Sequence, residues 1–150
     1  MDIPTEIKKA KDVLKCWGIE GAAVTRINQG LINRTFIVEM ADRSKSVLQQ
    51  LHAAIDPCAN ENLENITCYI KSQGMSTPEL MRTVSGDLFF SHEEAVWRML
   101  TYVEGAAVDS LHTPEMAHSA GALLGTLHRT LATYDGKFRV VSSTKVDFRS

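Results

Sequence analysis

A glycine-containing turn holds the residue types in this chain that are best suited to binding an anion. Residues 28–36 read NQGLINRTF, so Gly30 lies between the amide side chains of Gln29 and Asn33. Glycine lets backbone N–H groups approach an anion because no Cβ stands in the way. The segment predicts a phosphate-facing turn, but a single glycine in a hairpin is usually nothing more than a turn, and the other elements must decide between the two.

The residues on both sides of this turn have the pattern of a β-meander. Three short runs rich in apolar and β-branched residues are separated by turn-forming residues: 22–27, 35–40 and 47–51. They predict three consecutive antiparallel strands with Gly30 in the first turn. Similar runs later in the chain predict further strands: 80–84, 88–90 and 95–103.

Apolar residues at helical spacing predict three helices, one before the strands, one after the third strand and one near the C-terminus. Their predicted bounds are 4–17, 56–73 and 114–134. Thr113 and Pro114 give the last helix an N-cap followed by proline at the first helical position. This order predicts the fold class α+β: a five-stranded antiparallel sheet with one crossing helix, an N-terminal helix and a long C-terminal helix.

Composition excludes several classes of function. Sixteen basic against eighteen acidic residues, with no basic run, leave no electrostatic footprint for nucleic acid or an anionic membrane. No window is apolar enough to span a bilayer, and the N-terminus lacks a signal-peptide core, so a cytoplasmic location is expected. The three cysteines have no CxxC spacing, which argues against a disulfide framework and a zinc knuckle.

The order of elements, with the residues at their joints, resembles the N-terminal lobe of the aminoglycoside phosphotransferase and choline kinase superfamily, which is protein-kinase-like. Segments 29–36, 47–52 and 63–66 look most like the N-acetylhexosamine 1-kinase branch, with homoserine kinase-like proteins close by. The resemblance implies the nucleotide-binding part of an ATP-dependent small-molecule phosphotransferase with a sugar-like acceptor. It implies ATP and Mg²⁺ as cofactors, a kinase-like lobe over 1–103, and a hinge exit, long helix and truncated start of a C-terminal lobe over 104–150.

The resemblance also assigns the turn to the nucleotide. Gly30, Leu31, Asn33 and Thr35 would lie over the ATP phosphates, with the Asn33 side chain hydrogen-bonded to a phosphate or to the backbone. Asn33 is equally compatible with an Asx-turn that merely shapes the hairpin.

The strand at 95–103 would end in the hinge of such a lobe. There Leu100, Tyr102 and Val103 would present backbone C=O and N–H groups to the adenine edge. The apolar side chains that could sandwich the adenine, each equally compatible with plain core, are Val24, Val38, Val47 and Leu100.

The third strand departs from the kinase pattern at one position. Kinases place there a lysine that pairs with the α- and β-phosphates and with a glutamate of the crossing helix, whereas this chain has Gln49. A neutral amide can donate to a phosphate oxygen but cannot neutralise its charge. The resembled branch is similar in carrying glutamine there. Glu64 would be the acid of the crossing helix, and Glu61, one turn earlier, is its rival, with a solvated helix face the favoured interpretation for Glu61.

The catalytic loop of the superfamily is missing. Phosphoryl transfer in this superfamily requires an HxD-type loop and a second aspartate that holds the metal. No histidine of the chain has an aspartate two positions later: His52, His92, His112, His118 and His128. We therefore predict no catalytic or metal-binding residue in this chain, inactivity of the chain alone, and Mg²⁺ ligands in a missing C-terminal lobe. The chain would be an expressed fragment, a natural truncation or half of a split enzyme.

The last helix carries an apolar stripe formed by Met116, Leu123, Leu124, Leu127 and Leu131. Such a stripe drives self-association when nothing covers it, so a dimer or higher assembly through this helix is expected. The second interpretation of the chain is a non-catalytic binding or assembly module that keeps the kinase-lobe shape. A third is an unrelated α+β domain whose turn only looks like a nucleotide loop.

Overall fold

The computed structural model describes residues 2–27, 32–106 and 108–139, and these form one antiparallel sheet with three α-helices. Gly30 and Leu31 of the predicted phosphate turn lie outside the described residues. The helices are α1 (Ile3–Leu14), α2 (Ala59–Ser72) and α3 (Pro114–Ala132), and a short 3₁₀ turn, Lys15–Trp17, follows α1. The strands are β1 (Ala23–Ile27), β2 (Arg34–Glu39), β3 (Lys45–Gln50), β4 (Leu80–Met81), β5 (Phe90–His92) and β6 (Ala95–Thr101).

The sheet order is β1-β2-β3-β6-β4, and β5 also pairs with β6. The predicted fold class is therefore confirmed: the architecture is α+β, with antiparallel pairing throughout and α2 crossing between β3 and β4. The described strands number six but fill five positions across the sheet. This is because β4 and β5 both lie along β6, on its side away from β3.

The edge of the sheet differs from the predicted pattern. A strand over 80–84 with a return strand over 88–90 was expected, but β4 ends at Met81 and β5 begins at Phe90. Between them the chain leaves the edge in a turn, in which the N–H of Thr83 donates to the carbonyl of Asp87 at 2.9 Å. Gly86 supplies the left-handed conformation of that turn, with φ of 90°. Both short strands then run in the same direction, so neither is the return strand of the other.

One face of the sheet is covered by α1 and carries the hydrophobic core. Alternate residues of a strand share a face, and the inward set packs against α1 and Trp17. The fully buried residues of α1 and of the strands that it covers are Ala10, Val13, Leu14, Phe36, Val38, Leu48, Trp97 and Met99. The indole N–H of Trp17 donates to the carbonyl of Met81 at 2.8 Å, which ties the end of α1 to the sheet edge.

The last helix begins as the sequence predicts, and its C-terminal end contacts α2. The hydroxyl of Thr113 accepts from the N–H of Met116 at 3.2 Å, so it is the N-cap of α3. Near its other end, the Tyr69 hydroxyl of α2 bonds to Thr133 at 2.8 Å. No residue of α3 is buried, and Leu123 and Leu124 are 64% and 52% exposed. None of the helices in the described residues is both long and apolar enough to cross a membrane.

Candidate functional site

The face of the sheet opposite α1 carries two cross-strand rows of side chains. In the first, Ile37 pairs with Val47, and Val47 with Leu100. In the second, Thr35 pairs with Gln49, and Gln49 with Arg98. Directly paired residues of antiparallel strands point to the same face, so the sheet presents an apolar row beside a polar one. We call them the apolar row (Ile37, Val47, Leu100) and the polar row (Thr35, Gln49, Arg98).

Two of the residues predicted to sandwich the adenine lie on the wrong face. Val38 is fully buried in the core under α1, and Val24, its direct partner in β1, packs against that core. The period of two along a strand separates them from Val47 and Leu100. Ile37, which was not among the predicted residues, occupies the place on β2 that was assigned to Val38.

The polar row is a hydrogen-bonded chain of side chains. The Gln49 amide nitrogen donates to the Thr35 hydroxyl at 3.4 Å, and its amide oxygen accepts from Nε of Arg98 at 2.9 Å. Arg98 also donates through Nη1 to the amide oxygen of Asn60, at 3.1 Å, near the start of α2. Burial lowers the pKa of the Arg98 guanidinium from its ordinary value. Gln49 is therefore fixed by an arginine, and both oxygens that face this arginine belong to neutral amides.

Arg98 is the residue that the sequence-based reasoning missed. It stands in the otherwise apolar run Ala95-Val96-Trp97-Arg98-Met99-Leu100, and charged residues are rarely buried unless they are paired. That isolated charge in a predicted central strand is the signal that could have identified it. The register that brings it beside Gln49 is not visible in the sequence.

Glu64 lies on α2, as predicted, but its carboxylate binds an arginine of the sheet-edge turn. Both of its oxygens accept from Nη2 of Arg82, at 2.8 and 2.7 Å. Arg82 in turn donates through Nη1 to the carbonyl of Gly86 at 2.6 Å. Within the described part of the chain no hydrogen bond joins Glu64 to Gln49. Glu61, its predicted rival, forms an ion pair with Arg139.

The side chain of Asn33 bonds to a backbone group, which was one of its two predicted hydrogen-bond partners. Its amide oxygen accepts from the backbone N–H of His52 at 3.0 Å, so it joins the start of β2 to the chain just beyond β3. This oxygen is therefore engaged across the sheet and not in a local Asx-turn. The amide nitrogen of Asn33 is the part of this side chain that remains suited to a phosphate oxygen.

A buried carboxylate holds the strands on both sides of the 28–31 segment. Glu6 of α1 is 5% exposed, and its oxygens lie 3.0 Å from Nε of Arg26 in β1 and 3.3 Å from Nε of Arg34 in β2. The Arg26 contact is close but not aligned as a hydrogen bond, so its attraction is mainly electrostatic. Glu6 was not a predicted site residue. It anchors both ends of the turn that was predicted to cover phosphates.

The predicted hinge residues lie at and just beyond the end of β6. Thr101 is the last ladder residue, and its N–H donates to the carbonyl of Glu79 at 2.8 Å. Tyr102 and Val103 follow directly, beyond the last residue of the strand. The Tyr102 ring lies under the Lys45 ammonium, with 5.4 Å from Nζ to the ring centroid. The predicted hinge residues therefore adjoin the apolar row through Leu100.

The same part of the chain offers no ready-made metal site. Within 2–27, 32–106 and 108–139, no group of three or more histidine, cysteine, aspartate or glutamate side chains comes together.

The fold itself has clear relatives among solved structures, although no protein-family model matches the chain. Amicoumacin kinase in complex with AMP-PNP and Ca²⁺ matches with a TM-score of 0.74 at 16% identity, over 92% of this chain and 42% of its own. A microcompartment-associated aminopropanol kinase matches with a TM-score of 0.71 at 16% identity, over 88% of this chain and 44% of its own. The chain has a kinase-like fold.

A third kinase-like relative is spectinomycin phosphotransferase in complex with ADP and spectinomycin, with a TM-score of 0.58 at 12% identity, over 82% of this chain and 37% of its own. The predicted resemblance to the aminoglycoside phosphotransferase superfamily is confirmed by these neighbours at the level of fold. The chain spans less than half the length of each matched kinase. Its closeness to the N-acetylhexosamine 1-kinase branch remains a prediction.

Proposed function

We propose that this chain is the N-terminal, nucleotide-binding part of an ATP-dependent small-molecule phosphotransferase. The observation that carries the proposal is the pair of rows on the face of the sheet opposite α1, apolar beside polar, with the hinge at one end. Two of the kinases that share the fold are complexes with AMP-PNP and with ADP. An apolar surface with a few placed polar groups is the usual form of a small-ligand site.

In this proposal the adenine lies against the apolar row, with Val47 and Leu100 as its main contacts. Backbone groups of Tyr102 and Val103 bind its polar edge. The phosphates extend toward Thr35 and Gln49 of the polar row.

The turn that contains Gly30, Leu31 and Asn33 covers the phosphates. Glu64 holds Arg82 at the edge of the same face. Mg²⁺ supplies charge neutralisation of the phosphates when bound, and its protein ligands belong to a C-terminal lobe beyond this chain.

The acceptor is proposed from the resemblance alone. A sugar-like alcohol, with N-acetylhexosamine at its anomeric position as the leading choice, follows from the branch that segments 29–36, 47–52 and 63–66 resemble. The kinases of similar fold are named for amicoumacin, aminopropanol and spectinomycin, which differ in chemistry. The proposal includes a cytoplasmic location and a lobe boundary after Val103.

Nucleotide binding without turnover is the expected behaviour of the chain. Calorimetric titration with ATP and Mg²⁺ should give a dissociation constant no weaker than about 1 mM, the upper end of the usual range for substrates. An incubation with sugars should release no ADP, because the chain has no HxD loop. The competing function, a non-catalytic assembly module, predicts no heat of binding from a chain that circular dichroism shows to be folded. That result would reject the proposed function.

Self-association through α3 is the second expectation. Leu123 and Leu124 expose apolar surface on a helix that has no buried residue, and mutual burial of two such faces removes it from water. Light scattering at tens of micromolar should report a dimer or larger assembly. Leu123→Lys with Leu124→Lys should give a monomer, whereas Ala132→Lys, at an exposed residue of α3 outside this pair, should not. A monodisperse wild-type monomer would contradict this expectation.

A further inference from the structure

We infer that Arg98 supplies the positive charge that Gln49 lacks, and that its guanidinium binds the α- and β-phosphates of the nucleotide with Gln49 as its positioning partner. The inference rests on the proposed function and names a residue that neither the resemblance nor the predicted site includes. Three observations carry it: the missing counter-ion of Arg98, its place in the polar row, and the nature of the two groups that hold it.

Arg98 is a partly buried cation without a carboxylate partner in the described structure. Three other arginines in or next to the sheet form ion pairs with a glutamate: Arg26 and Arg34 with Glu6, and Arg82 with Glu64. Arg98 instead donates to two neutral amide oxygens, from Gln49 and Asn60. A buried charge that is not neutralised costs free energy, and a bound anion would offset that cost.

The guanidinium also has donors to spare. It carries five N–H groups, and the structure assigns one from Nε and one from Nη1. The planar fork of the remaining donors matches two phosphate oxygens at once, which a lysine ammonium cannot do. The amide partners fix the orientation of the group without cancelling its charge.

Its position is next to where the phosphate-binding lysine is expected. Gln49 occupies that place on β3, and Arg98 is its direct partner on β6. Thr35, on the other side of Gln49, follows the turn that is proposed to cover the phosphates. A lysine at position 49 would meet the Arg98 guanidinium, and two adjacent cations repel each other. The neighbouring arginine therefore explains the glutamine at this position, because the positive charge lies on β6 instead of β3.

Removing the positive charge of Arg98 should weaken the binding of ATP, which carries phosphates, and leave the binding of adenosine unchanged. The experiment titrates the wild-type chain, Arg98→Met and Arg98→Lys with ATP and with adenosine, and compares the ratio of the two affinities. Arg98→Met is expected to lower ATP affinity by about 10- to 100-fold, the usual range for a charge-assisted bidentate contact. Its adenosine affinity should stay within about twofold of the wild type. Arg98→Lys should recover part of the ATP affinity.

Arg43→Met is the matched control, because Arg43 is an exposed arginine of the turn between β2 and β3 and belongs to neither row. Its ratio of ATP to adenosine affinity should equal that of the wild type. If Arg98→Met does not fold, Arg98→Gln, which keeps a polar side chain without the charge, decides by the same ratio. An unchanged ratio in the folded, charge-free variant overturns the inference and leaves the proposed function standing. A wild type that binds neither ligand overturns both.

Discussion

Val47→Trp is expected to abolish binding of both ATP and adenosine without unfolding the chain. Val47 is half-buried at the centre of the apolar row, between Ile37 and Leu100, on the face that α1 leaves open. An indole there would occupy the space proposed for the adenine. Because that face is not tightly packed over Val47, the larger side chain does not force its way into a close-packed interior. We expect an affinity loss of at least about 30-fold, since the displaced contacts are shared by all adenine nucleotides.

The matched control is Val84→Trp. Val84 is 74% exposed, and its N–H donates to the carbonyl of Cys16, which places it beside the end of α1 and away from the apolar row. The control should bind ATP and adenosine as the wild type does. Calorimetry gives the affinities, and thermal unfolding shows whether each variant is folded. A folded Val47→Trp that binds adenosine normally would show that the adenine does not lie on this row. Loss of adenosine binding also separates this variant from Arg98→Met, which should keep it.

Periodicity made the elements predictable, because it depends on each segment alone. The apolar spacing of α1, the Thr113-Pro114 start of α3 and the alternation in β2 and β3 each appear in a few consecutive residues. The order of those elements was enough to suggest the superfamily fold. The edge of the sheet was less predictable: 80–92 contains two short strands around a turn, and their common partner β6 comes later in the chain.

A site residue was predictable only where its own type and its place in one strand were enough to identify it. Gln49 was identified from its place on the third strand, but its partner Arg98, on β6, was not. That partner depends on cross-strand register, and a shift of one residue reverses the face of every side chain. The same dependence explains Val38, which was expected beside the adenine and lies in the core. Glu6 was missed because a single acid in a helix usually faces solvent, and nothing local reveals that two arginines meet it.

In kinases, one lysine–glutamate ion pair joins the third strand to the crossing helix. In this chain, two separate contacts join α2 to the sheet and to the sheet edge. Asn60 joins the start of α2 to Arg98, and Glu64 joins the next turns of α2 to Arg82 in the 82–89 segment. The first connection is made of a cation and neutral amides, so it leaves charge available for a ligand. The second is a bidentate ion pair, so it holds α2 against the sheet edge without leaving a free charge. In the proposed function, positioning and phosphate recognition would thus be separated between different residues.

Glu6→Ala is expected to lower the free energy of unfolding by about 3 kcal/mol, because it leaves two arginines without their shared carboxylate. That figure is at the lower end for a broken buried pair, since the side chains of Arg26 and Arg34 are 28% and 45% exposed and water can partly solvate them. Urea unfolding followed by circular dichroism measures the change. The alanine also loosens α1 from the strands on both sides of the 28–31 segment, so ATP affinity should fall in the folded variant while adenosine affinity changes less.

Glu6→Gln separates charge from shape at this position. The amide keeps the volume and can accept from one arginine, so we expect a smaller loss of stability than for alanine, with the two arginines still repelling each other. Glu93→Ala is the surface control: Glu93 pairs with Lys9 at 2.6 Å but its side chain is 55% exposed, and exposed pairs contribute little. Its unfolding midpoint should match the wild type. If Glu6→Ala were as stable as Glu93→Ala, the buried carboxylate would not be what joins α1 to the two strands, and the turn that contains Gly30 would have to be positioned by the sheet alone.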